Sequence, residues 1–295
     1  TYSISKNGNW EDGRNILFKS SPVLNAHFEK EMEVLRAERL TRIRPGTDTK
    51  EVLVWNAQLV AAFVEVYQVF GRKEDLISAV DLMKAIETHF YKGDQWLHQA
   101  LFSREPIGAF LDDVSALVLA YVKLYLLTSD SKFKEKADNL MLRIGEEFAH
   151  PELALYQYRS KKADYLIAEK VEVMDSVMPS SNSMLCEAFL WMGILKNKAE
   201  YTLNGRAMLS QILERAISHP AYFANWLRIY SEWMENPRAI IKYNPELIDS
   251  KVAKSIDGLC IPVKGQVYTF MVCIGDRCLA PCDDLTELIG QLASI

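Results

Sequence analysis

The chain has 295 residues, 49% of them hydrophobic, and a formal charge of −5. That apolar content suffices for one large core or two modest ones, and an acidic balance without long like-charge runs gives no general reason to hold nucleic acid or an anionic membrane. Five Cys, an odd count, do not resemble a secreted disulfide framework, so a reducing, cytoplasmic setting is expected. No apolar run reads as a charge-free bilayer span, and the opening TYSISKNGNW, without Met and mid-domain in character, is not a secretory signal.

In chain order, an amphipathic helix is predicted near Leu24 to Leu40. An apolar helix follows, headed by Asp48, Lys50, Trp55 and Asn56. Leu76, Val80, Met83 and Phe90 then mark one face of an ordinary one-sided helix. From Ala109 to Leu127 the strongly polar residues are Asp112, Asp113, Ser115 and Lys123. Phe133, Ala137, Leu140, Ile144 and Phe148 repeat the one-sided pattern, and from Met184 to Leu195 only Glu187 interrupts an apolar run headed by Ser180 to Ser183. A third one-sided helix runs about Tyr201 to Ile217, and Pro220 starts an aromatic helix carrying Trp226, Tyr230 and Trp233. About eight helices result.

A helix apolar all round must be buried on all sides, and a one-sided helix lies at the surface. Their alternation predicts helical hairpins around a shared centre, with parallel inner helices whose polar heads gather at one rim. Turns from inner to outer helix are short, Gly71 to Lys73 and Ser129 to Ser131, whereas the returns span Tyr91 to Gly108 and His150 to Met178. Such long connections are usually functional. Tyr156 to Tyr158 and Tyr165 to Ala168 predict a short hairpin over the rim.

Each polar head has two readings. Asp112 and Asp113 stand about 100° apart on a helix, so they are no shared-proton dyad. They either favour the positive helix end, or one is the raised-pKa acid of sugar chemistry, with Asp48 or Asp175 as its partner. Ser180, Ser181, Asn182 and Ser183 read as caps of the third inner helix, with ligand-holding amides as the alternative. Asn56 is a structural crosslink or a ligand contact, and Trp55 is more often core than a sugar platform. Trp96 and His98, in the first return, have the chemistry of a platform and a proton carrier. His27, His89, His150 and His219 form no metal spacing, and no phosphate-binding Gly loop or Ser elbow is present, so no metal or cofactor is expected.

The runs RPGTDTKEVLVWNAQLVAAF, GAFLDDVSALV, LIAEKVEVMDSVMPSSNSMLCEAFL and YTFMVCIGDRCLAPCDDLTEL, with the opening GNWEDGRNIL, resemble in order the motifs of the bacterial YyaL and mammalian spermatogenesis-associated thioredoxin-like proteins. The resemblance covers essentially the whole chain. It implies an (α/α) toroid similar to N-acetylglucosamine 2-epimerases and six-hairpin glycosidases, preceded in the family by a thioredoxin-like domain in cis, with this chain as the later part of the toroid. Lys50, Trp55, Asn56, Asp112, Asp113, Glu172, Asp175, Pro179, Ser180, Asn182 and Ser183 match the family pattern. Thr49, Ala57, Glu169, Lys170 and Ser181 depart from it. Cys273 and Cys278 follow the family spacing, which implies a pair of buried or redox-active thiols; with Cys260 and Cys282 nearby, zinc is the weaker alternative.

These readings converge on a mainly α chain. Residues 1–236 are expected to form a partial (α/α) toroid of helical hairpins, closed by a small α/β segment, 237–295, holding the Cys pair. The function expected is a carbohydrate-active cleft, epimerase-like or glycosidase-like, with Asp112, Asp113, Asp48 and Asp175 as catalytic candidates. Lys50, Trp55, Asn56, Ser180, Asn182 and Ser183 are the substrate-binding candidates. The competing class is a non-catalytic scaffold serving a thioredoxin-like domain.

Overall fold

The computed structural model of the chain describes residues 3–18, 28–100, 106–163, 170–235, 237, 239–248, 259–274 and 277–294. They fall into two compact units, Thr1–Thr49 and Lys50–Ile295. In the first, a loop is braced by two Asn side chains that each pair with a peptide group as a strand would. Asn9 accepts from Ile16 N–H at 2.7 Å and donates to its carbonyl at 2.9 Å; Asn15 does the same for Ser5 at 3.0 and 3.1 Å. Gly8 (φ +82°) allows this fold, because a Cβ there would collide with Gly13. Helix α1 (Glu29–Leu40) buries no side chain; positions 24 to 27 of its predicted span lie outside the described residues.

The second unit contains three helical hairpins: α2 (Leu53–Phe70) with α3 (Lys73–Phe90), α4 (Leu111–Thr128) with α5 (Ser131–Phe148), and α6 (Ser181–Lys196) with α7 (Ala199–Ser218). Each inner helix ends on a left-handed residue, Gly71, Ser129 or Asn197, which stops the helix and lets the chain double back. Helix α4 lies between α2 and α6. Gly193 lets α7 approach α6, since a Cβ there would overlap Thr202. The chain is therefore mainly α, an incomplete (α/α) toroid of hairpins, with a small α/β segment at its C-terminal end.

All-round burial holds for α4 and α6 but not for α2. Its Leu53, Ala57, Val60 and Val64 are buried, while Trp55, Leu59, Val69 and Phe70 are exposed, Trp55 at 53% rather than in a core. Apolarity read from sequence does not reveal that α2 stands at the edge of the stack. By length and composition α2 would also suffice to cross a bilayer, which corrects the expectation of no such run; its buried face is engaged by α3 and α4.

After α8 (Ala224–Tyr230) and a single π turn (Ser231–Glu235), a four-stranded sheet follows. Preceding it in the chain, β1 (Tyr91–Lys92) and β2 (Gln95–Trp96) form a small hairpin in the first return. The sheet has the order β4-β3-β5-β6, where β3 is Ile240–Tyr243, β4 Leu259–Pro262, β5 Phe270–Ile274 and β6 Arg277–Cys278. One face packs Ile240, Ile261 and Cys273 on Leu126, Trp191 and Ile194, near the C-terminal ends of α4 and α6. The other packs Ile241, Phe270 and Val272 on Leu288 of α9 (Leu285–Ala293). Cys273 and Cys278 sit opposite each other across β5 and β6 and are joined as a disulfide, while Cys186, Cys260 and Cys282 lie outside any disulfide.

Both long returns fold back over the helix heads. The first zips onto the lead-in of α2, with Leu53 N–H donating to the His98 carbonyl and Ala100 N–H to that of Glu51. The second crosses the head of α4, with Leu111 N–H donating to the Tyr158 carbonyl and Tyr158 N–H to that of Lys170. The second half of the predicted rim hairpin, Tyr165 to Ala168, lies outside the described residues.

Candidate functional site

At the head of α4 the chain turns into helix at Phe110, whose ring cannot accept a hydrogen bond from the first turn. The capping is done from inside the helix by Asp113, whose Oδ2 accepts Phe110 N–H at 2.9 Å. The same oxygen takes His98 Nδ1 at 2.8 Å, and Oδ1 accepts Val54 N–H at 2.9 Å, so one carboxylate ties α4, α2 and the first return together. Asp113 is fully buried, and burial pushes its carboxyl up while His98 and the amides pull it back.

His98 is thereby fixed with Nδ1 on Asp113 and Nε2 without a protein partner among the described residues. Its ring packs edge-on to Phe110 at 4.8 Å, and its side chain remains 23% exposed. The bond to Asp113 raises the His98 pKa above 6.5, burial works against that, and Asp112 adds to it while Lys50 opposes it. Asp112 accepts Asp113 N–H at 2.9 Å and the Tyr158 hydroxyl at 3.1 Å. Burial first, then the charge of Asp113, pushes its carboxyl up to about 6. Tyr158 stacks on Phe110 at 5.0 Å. The head of α4 therefore presents a carboxyl raised to about 6 and an imidazole whose pKa the Asp113 bond raises, each held by its own partner.

At the head of α6 the carboxylates come from the preceding loop. Asp175 Oδ1 accepts Ser180 N–H and Oδ2 accepts Asn225 N–H, both at 2.8 Å. Glu172 Oε2 accepts Ser181 N–H at 3.3 Å. The expected capping by the serines is corrected here: the N-cap Ser180 makes no side-chain cap bond, and the buried hydroxyls of Ser180 and Ser181 have no partner among the described residues, while loop carboxylates hold the Ser180 and Ser181 amides. Asn182 clamps the second return, accepting Tyr156 N–H at 2.8 Å and donating to the Tyr156 and Glu172 carbonyls at 2.9 Å. Ser183 accepts from Asn225 Nδ2 at 2.8 Å and reaches the Ser180 carbonyl at 2.9 Å.

The rim thus brings Asp112 and Asp113 together with His98 and Tyr158, and Lys50 and Glu172 act on them through charge. Asp175, Ser180, Asn182 and Ser183 hold the α6 head instead. Asn56 donates to the Val52 carbonyl one turn back at 2.9 Å. Asp48 lies in the first unit, exposed. Cys273 packs near Leu126, about 20 Å along α4 from Asp112 at 1.5 Å per residue. Tyr158 and Phe110 were not singled out in the sequence, where nothing but their place beside the rim loops marks them.

No family model matches the chain, and no protein of curated function does. Among solved structures it is similar to a GH76 α-mannanase of Bacteroides thetaiotaomicron, at 14% identity over 56% of this chain and 44% of that one, TM-score 0.48. It is also similar to the cellobiose 2-epimerase of Bacillus thermoamylovorans, at 19% identity over 56% and 45%, TM-score 0.43. A third is an inactive double Asp-to-Asn variant of the α-1,6-mannanase GH76A of Salegentibacter sp., in complex with α-1,6-mannotriose, at 12% identity over 64% and 54%, TM-score 0.45. The chain spans about half or less of the length of each.

Among the described residues, the α4 head also holds Ser115, buried with an unpartnered hydroxyl. What the arrangement can do is proton transfer. One group gives a proton while the other takes one, and neither must leave its supporting bond to do so.

Proposed function

We propose that the rim of this chain is an acid–base site of a carbohydrate-active toroid, of the epimerase or isomerase kind. The observation that carries the reading is the His98–Asp113 bond of 2.8 Å beside an Asp112 carboxyl raised to about 6. Above about pH 6 Asp112 is mostly ionised, and the bond to Asp113 favours the protonated form of His98. Asp112 then takes the proton from the carbon beside the carbonyl of an open-chain sugar, and His98 Nε2–H donates to the carbonyl oxygen as the enediol forms. As the carbonyl re-forms, its hydroxyl proton returns to His98; a proton delivered to the opposite face of that carbon gives the epimer, and Asp112 returning its proton to the neighbouring carbon gives the isomeric ketose. Asp113 is a positioning residue, since its oxygens already accept from Val54, Phe110 and His98. Two carboxylates free to flank a glycosidic bond would suit hydrolysis; a locked Asp113 makes that the weaker fit.

The test is incubation with glucose, mannose and cellobiose in deuterium oxide, followed by NMR. Deuterium at the carbon beside the carbonyl, lost in His98→Asn and Asp112→Asn, supports the reading; hydrolysis without exchange points to a glycosidase. No turnover and no sugar binding leaves the scaffold, which Asp113's two backbone bonds favour. Membership of the YyaL-type family, a thioredoxin-like domain in cis and a cytoplasmic setting belong to the same proposal, supported by the ordered motifs and the odd Cys count. There, Cys273–Cys278 is reduced to two thiols as the dithiol of that domain is oxidised, which a shift in the reduction midpoint on joining the two would reveal.

A further inference from the structure

A cavity of about 540 Å³ opens beside the α4 head, between the β1–β2 hairpin, α5 and the second return. Its lining includes none of Asp112, Asp113, His98 or Tyr158. Ile107, Leu140 and Phe148 contribute apolar wall, and Arg143, Arg159 and Lys162 bring three cations. Among the described residues, the carboxylates on this lining are Asp94 and Glu147.

The pairing among these charges is incomplete. Glu147 is already engaged: Lys162 Nζ lies 2.8 Å from Oε1, Arg143 Nη2 reaches the same oxygen at 3.5 Å, and Ser160 donates to Oε2 at 3.2 Å. Arg143 makes its firmer bond, 2.9 Å, to the Asp94 carbonyl. The Asp94 carboxylate is 92% exposed and stands 4.0 Å from Arg143 Nη1. Arg159 shares none of this; its Nε is buried and has no hydrogen-bond partner among the described residues. A buried guanidinium N–H without an acceptor is costly, and a guanidinium fork suits a carboxylate or a phosphate. The volume falls in the range of small-molecule sites.

We propose that this cavity binds a small sugar carrying an oxyanion, a hexose phosphate or a hexuronate, with the anionic group on Arg159 and the uncharged ring against the apolar wall. The choice of a sugar rests on the carbohydrate reading proposed above and the oxyanion on Arg159; because binding is read apart from turnover, failure of the acid–base step and failure of this site are told apart. Isothermal titration of the full chain with glucose 6-phosphate, glucuronate, glucose and inorganic phosphate tests it. At least one charged sugar is expected to bind at least tenfold more tightly than glucose and than inorganic phosphate, and the tighter of the two identifies phosphate or carboxylate as the group recognised. Arg159→Met should weaken that binding at least tenfold, Arg159→Lys less, and His98→Asn not at all. Equal affinity for glucose, unchanged binding by Arg159→Met, or inorganic phosphate binding as tightly as glucose 6-phosphate would each overturn the assignment. Should Arg159→Met fail to fold, the ligand series on wild type and Arg159→Lys still decides.

Discussion

The heads of α4 and α6 are built from the same materials and end in opposite chemistry. Both are starts of buried helices, both carry Asp and Ser, and both are crossed by the second return. At α6, the oxygens of Asp175 are consumed by the amides of Ser180 and Asn225. At α4 the carboxylates lie within the helix, so one of them, Asp113, can close the cap and still orient an imidazole. Its neighbour Asp112 is left with a raised pKa and a single tyrosine hydroxyl on its outer oxygen. The lesson is that two carboxylates in the first helical turn divide the work, Asp113 closing the cap on backbone amides while Asp112 keeps a raised pKa, whereas a single loop carboxylate is used up by the cap.

The largest expected effect separates the two heads by activity. With a substrate found by the exchange assay, His98→Asn should lower kcat/KM by about 10²- to 10⁴-fold, the usual contribution of a positioned proton carrier. Stability should be compared at pH 8. The His98 pKa is raised in the folded state, so its contribution is full below 6.5 and fades as the pH rises through the folded value. A variant that keeps wild-type turnover would remove His98 from the site.

Asp175→Ala should do the reverse. It leaves the amides of Ser180 and Asn225 without their acceptor, and the loss should be about 3–4 kcal/mol in urea unfolding. Folded protein at low temperature should turn over at close to the wild-type rate. A destabilisation under about 1 kcal/mol, or a kcat collapse in folded protein, would mean that the heads are not divided as described.

Much of the hairpin stack was legible because a period of 3.6 and the short turns Gly71 to Lys73 and Ser129 to Ser131 are local signals; the left-handed stop at Asn197 shows only in the structure. The α4 site was half legible. Asp112 and Asp113 announce themselves as carboxylates opening an apolar helix, whereas His98 reaches Asp113 only because the first return is zipped to Val52 through Gln99. The structural use of Asp175 needs Asn225, 50 positions later, and no pattern in one sequence reports such a pairing. The exposure of α2 was illegible for another reason: apolarity states what a helix prefers, not whether a neighbour stands beside it.

A smaller effect sharpens the account of Asp112. Its pKa is raised from 3.8 to about 6, so the folded chain binds this proton more tightly than the unfolded chain, and stability falls as pH rises across that interval. Asparagine carries no such penalty and keeps an acceptor for Tyr158 or Asp113 N–H. Asp112→Asn should therefore match wild type below about pH 4 and gain on the order of 2 kcal/mol above pH 6, while losing turnover. Tm measured at pH 4 and pH 8 checks this. A variant less stable at both would show that Asp112 is a structural cap.

The smallest effect is decided by its sign. If Ser180 and Ser181 capped α6 through their side chains, replacing either with Ala would lose about 1 kcal/mol. Their hydroxyls are instead buried without partners among the described residues, and their own amides are held by Asp175 and Glu172. Removing a buried, unsatisfied hydroxyl relieves desolvation and sacrifices no bond, so each Ala variant should be neutral or more stable by under about 1 kcal/mol. The double variant should sum the two if the sites act separately. Loss of stability in the double variant, with Asp175 intact, would return the capping role to the serines and leave Asp175 available for chemistry, which would undo the contrast between the two heads.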